Sequence, residues 1–232
     1  MMDPALARRS FLSRFGTGLT VLAAAWTGSA AKTQAQSTAA GRWQPIRHAQ
    51  DDWLDQVPGK HRFLLDTTTP DGLGEALLYT NNYFLANQNA YGLANPDLAV
   101  VIVVRHFSTP FAYNDAMWEK YGRPLALRVN FTDPQTKQPP KLNVYNSSAH
   151  VGALPSFGTT LDSVLKRGVQ LAVCQMATRF FAGGIAEATG GNADSVYKEL
   201  AANLVNNSHL VPAGIVAINR AQERGYAFAK AG

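Results

Sequence analysis

The pattern of hydrophobic and polar positions changes repeatedly between strand-like and helix-like periods from His61 onward. Residues 98–104 form an unbroken apolar run rich in valine, which is typical of a strand buried on both faces. Residues 169–173 predict a second buried strand, and shorter strands are predicted at residues 63–66, 210–211 and 226–228. Apolar residues at three- and four-residue spacing predict the intervening helices, at residues 71–91, 114–121, 159–167, 175–189 and 214–224. Asp194 predicts the cap of one further helix, which carries Val196, Leu200 and Leu204.

This alternation of strands and helices predicts the fold class. It favours an α/β protein, a three-layer α/β/α sandwich with a mainly parallel sheet, whose ligands bind beyond the carboxyl ends of the strands. Residues 61–232 are predicted to form a single domain, and residues 37–60 an irregular segment in which Trp43 and Trp53 contact its surface. Gly122 predicts a helix end. The residues at about 123–158, rich in proline, asparagine and lysine, are interpreted as an insertion beside the site, with a strand near residues 142–145.

Residues 1–36 have the three-part pattern of an export signal. The run Arg8-Arg9-Ser10-Phe11-Leu12 resembles a twin-arginine motif, and a short apolar stretch and a small, polar segment follow it. The apolar part is too short to span a membrane as a helix. We expect cleavage of this signal and a periplasmic protein that meets the twin-arginine translocase during export. A general secretory route, a membrane anchor and a disordered tail are the alternatives.

Composition and missing motifs exclude several functions. The chain has a net charge of +5, but residues 1–36 hold four basic residues and one acidic residue, so about +2 remains. No basic stripe indicates nucleic acid, and no apolar run in the mature chain predicts a stable membrane anchor. The sequence also lacks a Gly-x-Gly-x-x-Gly or phosphate-loop motif and a Gly-x-Ser-x-Gly elbow, which disfavours nucleotide binding and serine hydrolysis.

Cys174 is the residue whose position is most informative about chemistry. It is the single cysteine of the chain, at the end of a predicted buried strand and directly before a predicted helix. Helix N-termini carry partial positive charge and free N–H groups, which favour an anion such as a thiolate. The alternative is a small hydrophobic residue that completes the strand inside the core.

The segment around Cys174 resembles the active-site segment of the DsrE-like (DsrE/DsrF/TusD) sulfur-relay family. The segment is Arg167 to Ala177, with Arg179 and Gly183-Gly184 in comparable places, and residues 210–228 are similar to the family's closing strand-helix-strand. The resemblance covers residues 61–106 and 159–229. It implies an α/β/α sandwich of flavodoxin-like layering, a homo-oligomer, and Cys174 as the sulfur-accepting residue. A small sulfur compound or a sulfur-donor or acceptor protein is then the expected partner, with no cofactor.

Other polar residues are candidates for the same edge of the sheet. His106 follows the long strand and is a candidate base or ligand, although it can equally satisfy loop backbone groups. Arg105 and Arg179 are candidates for binding an oxyanion, and His209 borders a short strand. A second hypothesis is therefore a periplasmic binding module for a metal, haem or small anion that uses His106. A third is a fold retained for assembly alone, and whether the protein is an enzyme stays open.

Overall fold

The architecture is a five-stranded, fully parallel sheet with helices on both faces. The computed structural model describes residues 44–232. The strands are β1 (His61–Thr67), β2 (Leu98–Val104), β3 (Gln170–Cys174), β4 (Ser208–Val211) and β5 (Ala227–Ala231). They are arranged in the order β4-β3-β2-β1-β5. In register, Thr67 pairs with Val104 and Cys174 with Val211, so the carboxyl ends of neighbouring strands lie together.

The helices pack on the sheet in two layers. They are α1 (Trp53–Gln56), α2 (Pro70–Tyr91), α3 (Asp115–Arg128), α4 (Leu161–Leu165), α5 (Gln175–Thr189), α6 (Ala193–Ala202) and α7 (Gly214–Gln222). Short 3-10 helices lie at residues 49–51, 95–97, 106–112, 144–146 and 148–150. Buried side chains of α2 to α6 form the core on one face, and those of α1 and α7 form the core on the other. The predicted three-layer α/β/α sandwich is confirmed.

Strand β2 forms the centre of the molecule because both of its faces are covered. All seven of its residues are buried, and alternate ones belong to the two cores, Val100 and Ile102 to one and Val101 and Val103 to the other. This is the physical reason for its unbroken apolar sequence, since a strand with one face in water alternates with polar residues.

Helix α3 extends further than the sequence pattern predicted. The helix was expected to close at Gly122, but it runs on to Arg128 and includes Pro124. Gly122 instead allows the backbone of Pro140 to pass close to α3, because a Cβ there would lie 2.1 Å from the carbonyl oxygen of Pro140. The irregular insertion is accordingly shorter, residues 129–160. The strand expected near residues 142–145 is wrong, and a 3-10 helix at Val144–Asn146 takes its place.

Two buried side chains fasten the insertion to the core. Asn143 is 1% exposed, and its Nδ2 donates to the carbonyl oxygens of Phe111 and Tyr113 at 2.7 and 3.0 Å. The hydroxyl of Tyr145 donates to the carbonyl oxygen of Pro70 at 2.7 Å. The insertion is therefore packed on the rest of the domain through these two side chains.

Other local expectations have mixed outcomes. Asn192, not Asp194, caps α6, because its Oδ1 accepts from the backbone N–H of Ser195 at 3.0 Å. Trp53 lies on the domain as expected, with its ring stacked on His209 at 3.9 Å, and it belongs to a short helix within a segment expected to be irregular. Trp43 and the predicted signal peptide lie outside the described residues. Across residues 44–232, no helix is both long and apolar enough to cross a membrane.

Candidate functional site

A pocket of about 420 Å³ opens at the carboxyl edge of the sheet. Its lining comes from the end of β2, from Cys174 at the end of β3, and from the first turns of α5 and α7. Strand β3 continues into α5 on one face of the sheet, whereas β4 continues into α7 on the opposite face. Diverging connections of this kind leave a crevice between strand ends, which is where open α/β sheets bind ligands.

Cys174 lies where β3 ends and α5 begins. It is the N-cap of α5, and its Sγ accepts a hydrogen bond from the backbone N–H of Ala177 at 3.4 Å. The hydroxyl of Thr178 donates to the carbonyl oxygen of Cys174 at 3.0 Å, which fixes the turn from strand to helix. The residue is 7% exposed, and it forms part of the pocket wall. Its sulfur is thus held by a helix N-terminus that favours an anion, beside a space that a small molecule can enter.

Arg105 is held rigidly beside the pocket by a buried carboxylate. Its Nε and Nη2 each donate to one oxygen of Asp66 at 2.8 Å, and Asp66 is only 2% exposed. This hydrogen bonding with Asp66 raises the pKa of Arg105 against the opposing effect of burial, and the charge of Cys174 adds to the rise. Nη1 has no hydrogen-bond partner among residues 44–232. Asp66 therefore fixes the orientation of Arg105, which lines the pocket, and largely balances its charge.

The loop that carries Arg105 and His106 is fastened to the end of β1. The hydroxyl of Ser108 accepts from the backbone N–H of Arg105 at 3.1 Å and from the hydroxyl of Thr67 at 2.9 Å. His106 has a positive φ of 56° and an exposed side chain, and its ring stacks on Phe107 at 4.1 Å. Strained non-glycine conformations of this kind cluster at functional sites. The loop thus directs His106 and Arg105 to the same pocket.

The start of α7 forms the opposite wall. The N-cap residue is Ala213, whose methyl side chain cannot accept a hydrogen bond from the first-turn N–H groups of α7. Gly214 packs against Arg105, and a Cβ on Gly214 would lie 2.6 Å from the Cβ of Arg105. Only glycine allows this approach of helix and arginine without displacement. Gly214 thereby sets the width of the pocket.

The remaining wall is apolar. Met176, Phe180 and Ile215 line the pocket and are each more than half exposed, and Phe107 is half-buried beside them. The guanidinium of Arg128 lies 4.9 Å from the ring centroid of Phe180. Among the described residues, none that lines this pocket carries a carboxylate. The site therefore combines a sulfur atom, nitrogen donors and a largely apolar surface.

Two of the predicted site residues lie away from this pocket. Arg179 is on α5, but it faces α6, where its guanidinium lies 3.9 Å from the ring centroid of Tyr197 and 3.7 Å from Asp194. His209 lies two residues before the end of β4, between the ring of Trp53 and Oε1 of Gln170 at 3.0 Å. Burial lowers the pKa of His209. The structure therefore brings Cys174, His106 and Arg105 together at the pocket, without Arg179 and His209.

The candidate metal ligands of the described residues are not gathered at one place. Within residues 44–232, no three side chains of histidine, cysteine, aspartate or glutamate are grouped so that they can hold a metal ion. His150 lies in the insertion, where its Nε2 is 3.2 Å from Oδ2 of Asp133. The donor set at the pocket, one sulfur and one imidazole, falls short of the four ligands of a typical structural metal site.

Sequence reasoning missed two residues that shape the site. Asp66 lies in the buried half of β1, one residue before its end, and a carboxylate at such a position requires a partner, which is the signal that could have identified it. Gly214 follows Ala213 at a predicted helix start, but nothing in the sequence indicates that Arg105 approaches it. That contact depends on the crossing of α7 beneath β2, which is a property of the tertiary structure.

Comparisons with known proteins assign no function to this chain. Neither the protein-family models nor the curated proteins gave a match. The solved structures include a match to the protein of unknown function MTH1491 from Methanobacterium thermoautotrophicum, at 14% sequence identity. The match covers 73% of this chain and 98% of that one, with a TM-score of 0.36.

Proposed function

We propose that this protein is a periplasmic, DsrE-like sulfur carrier in which Cys174 accepts sulfur as a persulfide and passes it on. The observation that carries the proposal is the position of the chain's single cysteine, in the wall of the pocket at the carboxyl edge of the sheet. The N-terminus of α5 supports the thiolate, which is the form of cysteine that reacts.

The proposed step is a thiolate attack on a sulfane sulfur atom. The thiolate of Cys174 attacks the outer sulfur of a donor R–S–SH, the donor S–S bond breaks, and R–S⁻ leaves. The products are the persulfide Cys174–S–SH and the donor thiolate, so no oxidant or reductant is consumed. An acceptor thiolate then takes the outer sulfur in the same way. No part of this cycle requires a cofactor.

The neighbouring residues have distinct roles in this proposal. His106, exposed in the pocket wall, takes the proton of the thiol before attack. Arg105 supplies Nη1 as a fixed donor to the developing thiolate or to an anionic group of the donor molecule. Asp66 positions Arg105 and is not itself one of the residues that line the pocket.

Intact-mass spectrometry tests the proposal directly. Incubation with inorganic polysulfide should add one sulfur atom, about 32 Da, and Cys174→Ser should abolish the addition. His106→Gln should slow it at neutral pH while leaving the final extent unchanged, and Arg179→Gln serves as the matched control that changes neither. If the native chain gains no mass while its thiol still reacts with a small alkylating reagent, the carrier function is refuted.

Export and assembly belong to the same proposal and have their own tests. A cleaved signal should leave a mature N-terminus near residue 37 in protein isolated from the periplasm, measured by intact mass. Retention of residues 1–36 in that fraction would contradict cleavage. A homo-oligomer should elute from size-exclusion chromatography with light scattering at a multiple of the chain mass, and a monomer at all concentrations would contradict it.

A second candidate function, the binding of a small anion, has one observation in its favour. The start of α7, which has no side-chain cap, and Arg105, whose Nη1 has no hydrogen-bond partner among residues 44–232, both line a pocket whose described lining contains no carboxylate. Calorimetry with sulfite separates the two functions. An anion-binding module binds sulfite both in the native chain and in Cys174→Ser, whereas a carrier whose Cys174 holds no outer sulfur binds sulfite in neither.

A further inference from the structure

The pocket beside Cys174 is lined mostly by apolar residues. Arg105, His106 and Cys174 are its polar residues, and the remaining lining is glycine, alanine or larger hydrophobic residues. The side chains of Met176 and Ile215 are 68% and 59% exposed at this position. Large apolar side chains left in water around a concave site are typical of surfaces that bind an apolar molecule.

The size of the pocket also exceeds the need of an inorganic ion. Its volume is about 420 Å³, and a water molecule occupies ~30 Å³ of liquid, so the pocket has room for roughly a dozen non-hydrogen atoms. Thiosulfate or sulfite would leave most of the apolar wall in contact with water. An organic molecule with a short alkyl or aryl group would cover that wall and release the water.

The charges around the pocket agree with such a molecule. Arg105 is paired through two hydrogen bonds with Asp66, so it contributes oriented N–H groups and little net charge. Arg128 lies over the ring of Phe180 and forms an ion pair with Glu187 at 3.6 Å. Neither of these two arginines therefore contributes an unpaired positive charge that would select a multiply charged sulfur anion.

We infer that the sulfur donor of Cys174 is a small organic persulfide with an apolar alkyl or aryl body, held against Met176, Phe180 and Ile215. This inference rests on the proposed function and specifies its substrate class. In the transfer, the body R packs on these side chains while the outer sulfur of R–S–SH meets the Cys174 thiolate. The donor S–S bond breaks, the S–S bond of Cys174–S–SH forms, and R–S⁻ leaves the pocket.

A series of methanethiosulfonates measures the selectivity for R without changing the leaving group. Each reagent CH₃SO₂–S–R reacts with the Cys174 thiolate to give Cys174–S–S–R and methanesulfinate, and R is methyl, pentyl or sulfonatoethyl. Cys174 is the single cysteine, so the modified fraction is read from the intact mass of the full chain. Each rate is divided by the rate of N-acetylcysteine with the same reagent, which removes intrinsic differences in reactivity.

The pentyl reagent should exceed the methyl reagent by at least tenfold on this corrected scale, because each buried methylene contributes about fourfold. The sulfonatoethyl reagent should fall below the pentyl reagent. Met176→Gln should reduce the pentyl preference at least threefold, and Leu127→Gln should leave it unchanged. Leu127 is the matched control, since it is also 68% exposed on a helix but lies outside the pocket lining.

The outcomes separate this inference from the function on which it rests. Equal corrected rates for methyl and pentyl, or a faster sulfonatoethyl reagent, contradict an apolar donor even where polysulfide loads Cys174. An equal effect of Met176→Gln and Leu127→Gln contradicts the assigned surface. A clear pentyl preference without any sulfur uptake from polysulfide or from an alkyl persulfide refutes the carrier function instead, and with it the donor class.

Discussion

Replacing Gly214 by alanine tests whether α7 packs on Arg105 as the site requires. The added Cβ would lie 2.6 Å from the Cβ and 2.8 Å from the Cδ of Arg105, and 3.1 Å from Cγ1 of Val103. Carbon atoms in contact normally lie ~3.5–4.0 Å apart, so the helix start or the arginine must move by about 1 Å. Arg105 cannot move freely because Asp66 holds its guanidinium at two positions.

The expected cost follows from this crowding. Overpacking of a well-packed site costs about 1–3 kcal/mol, and the gain from replacing a helical glycine by alanine, at most ~1 kcal/mol, offsets part of it. A net loss of about 1–2 kcal/mol lowers the thermal midpoint of a domain of this size by about 2–8 °C. Alkylation of Cys174 should also slow, because the added methyl group at the start of α7 narrows the pocket through which the reagent reaches the sulfur.

Gly183→Ala is the matched control for this substitution. Gly183 lies in α5, and a Cβ there would meet no atom within 4 Å. The control should gain about 0.5–1 kcal/mol from helix propensity alone. Thermal unfolding followed by circular dichroism compares the two variants. If Gly214→Ala is as stable as Gly183→Ala, the packing of α7 on Arg105 is wrong and the pocket wall with it.

Three further substitutions test other parts of the account by urea unfolding. Asp66→Asn should lose about 1–2 kcal/mol, since one of two charge-assisted hydrogen bonds to the partly exposed Arg105 is broken, and an unchanged midpoint would contradict the pairing. Asn143→Ala should lose about 2–3 kcal/mol because two buried carbonyl oxygens lose their donor, and a loss below ~0.5 kcal/mol would show that the insertion is held elsewhere. Burial opposes ionisation of Asp133, but backbone N–H groups and His150 outweigh it, so the pKa of Asp133 is lowered from 3.8. The stability that this carboxylate provides is therefore present above pH 3.8 and lost as the pH falls below it. Asp133→Asn should reduce the fall in the free energy of unfolding between neutral and acidic pH. Parallel pH profiles of the native chain and the variant would contradict the lowered pKa of Asp133.

The sequence predicted those features that depend on local pattern. The seven apolar residues of β2 predicted a strand buried on both faces, and they form the central strand with both faces covered. Cys174 was placed between a strand and a helix, and it is the residue at which β3 ends and α5 begins. These predictions succeeded because a buried strand and a strand-to-helix boundary each produce a recognisable pattern of apolar and polar residues in the local sequence.

Contacts between segments that are far apart in the sequence could not be predicted from local patterns. Gly122 resembles a helix stop, but it allows the insertion to pass close to α3, and the helix continues. Arg179 precedes Phe180 by one residue, which rotates it about 100° around α5, away from the pocket and toward α6. His209 lies near the end of β4, yet two residues of a strand set it ~7 Å back from the edge.

The central claim is that the sulfur of Cys174 is reachable from the pocket in the folded protein. The most direct measurement is the rate at which the intact chain is alkylated by iodoacetamide, followed by mass, across urea concentrations below the unfolding transition. We expect a measurable rate in the absence of urea that stays nearly constant until the chain unfolds. A native chain that is unreactive, with a rate that rises in proportion to the unfolded fraction, would contradict it.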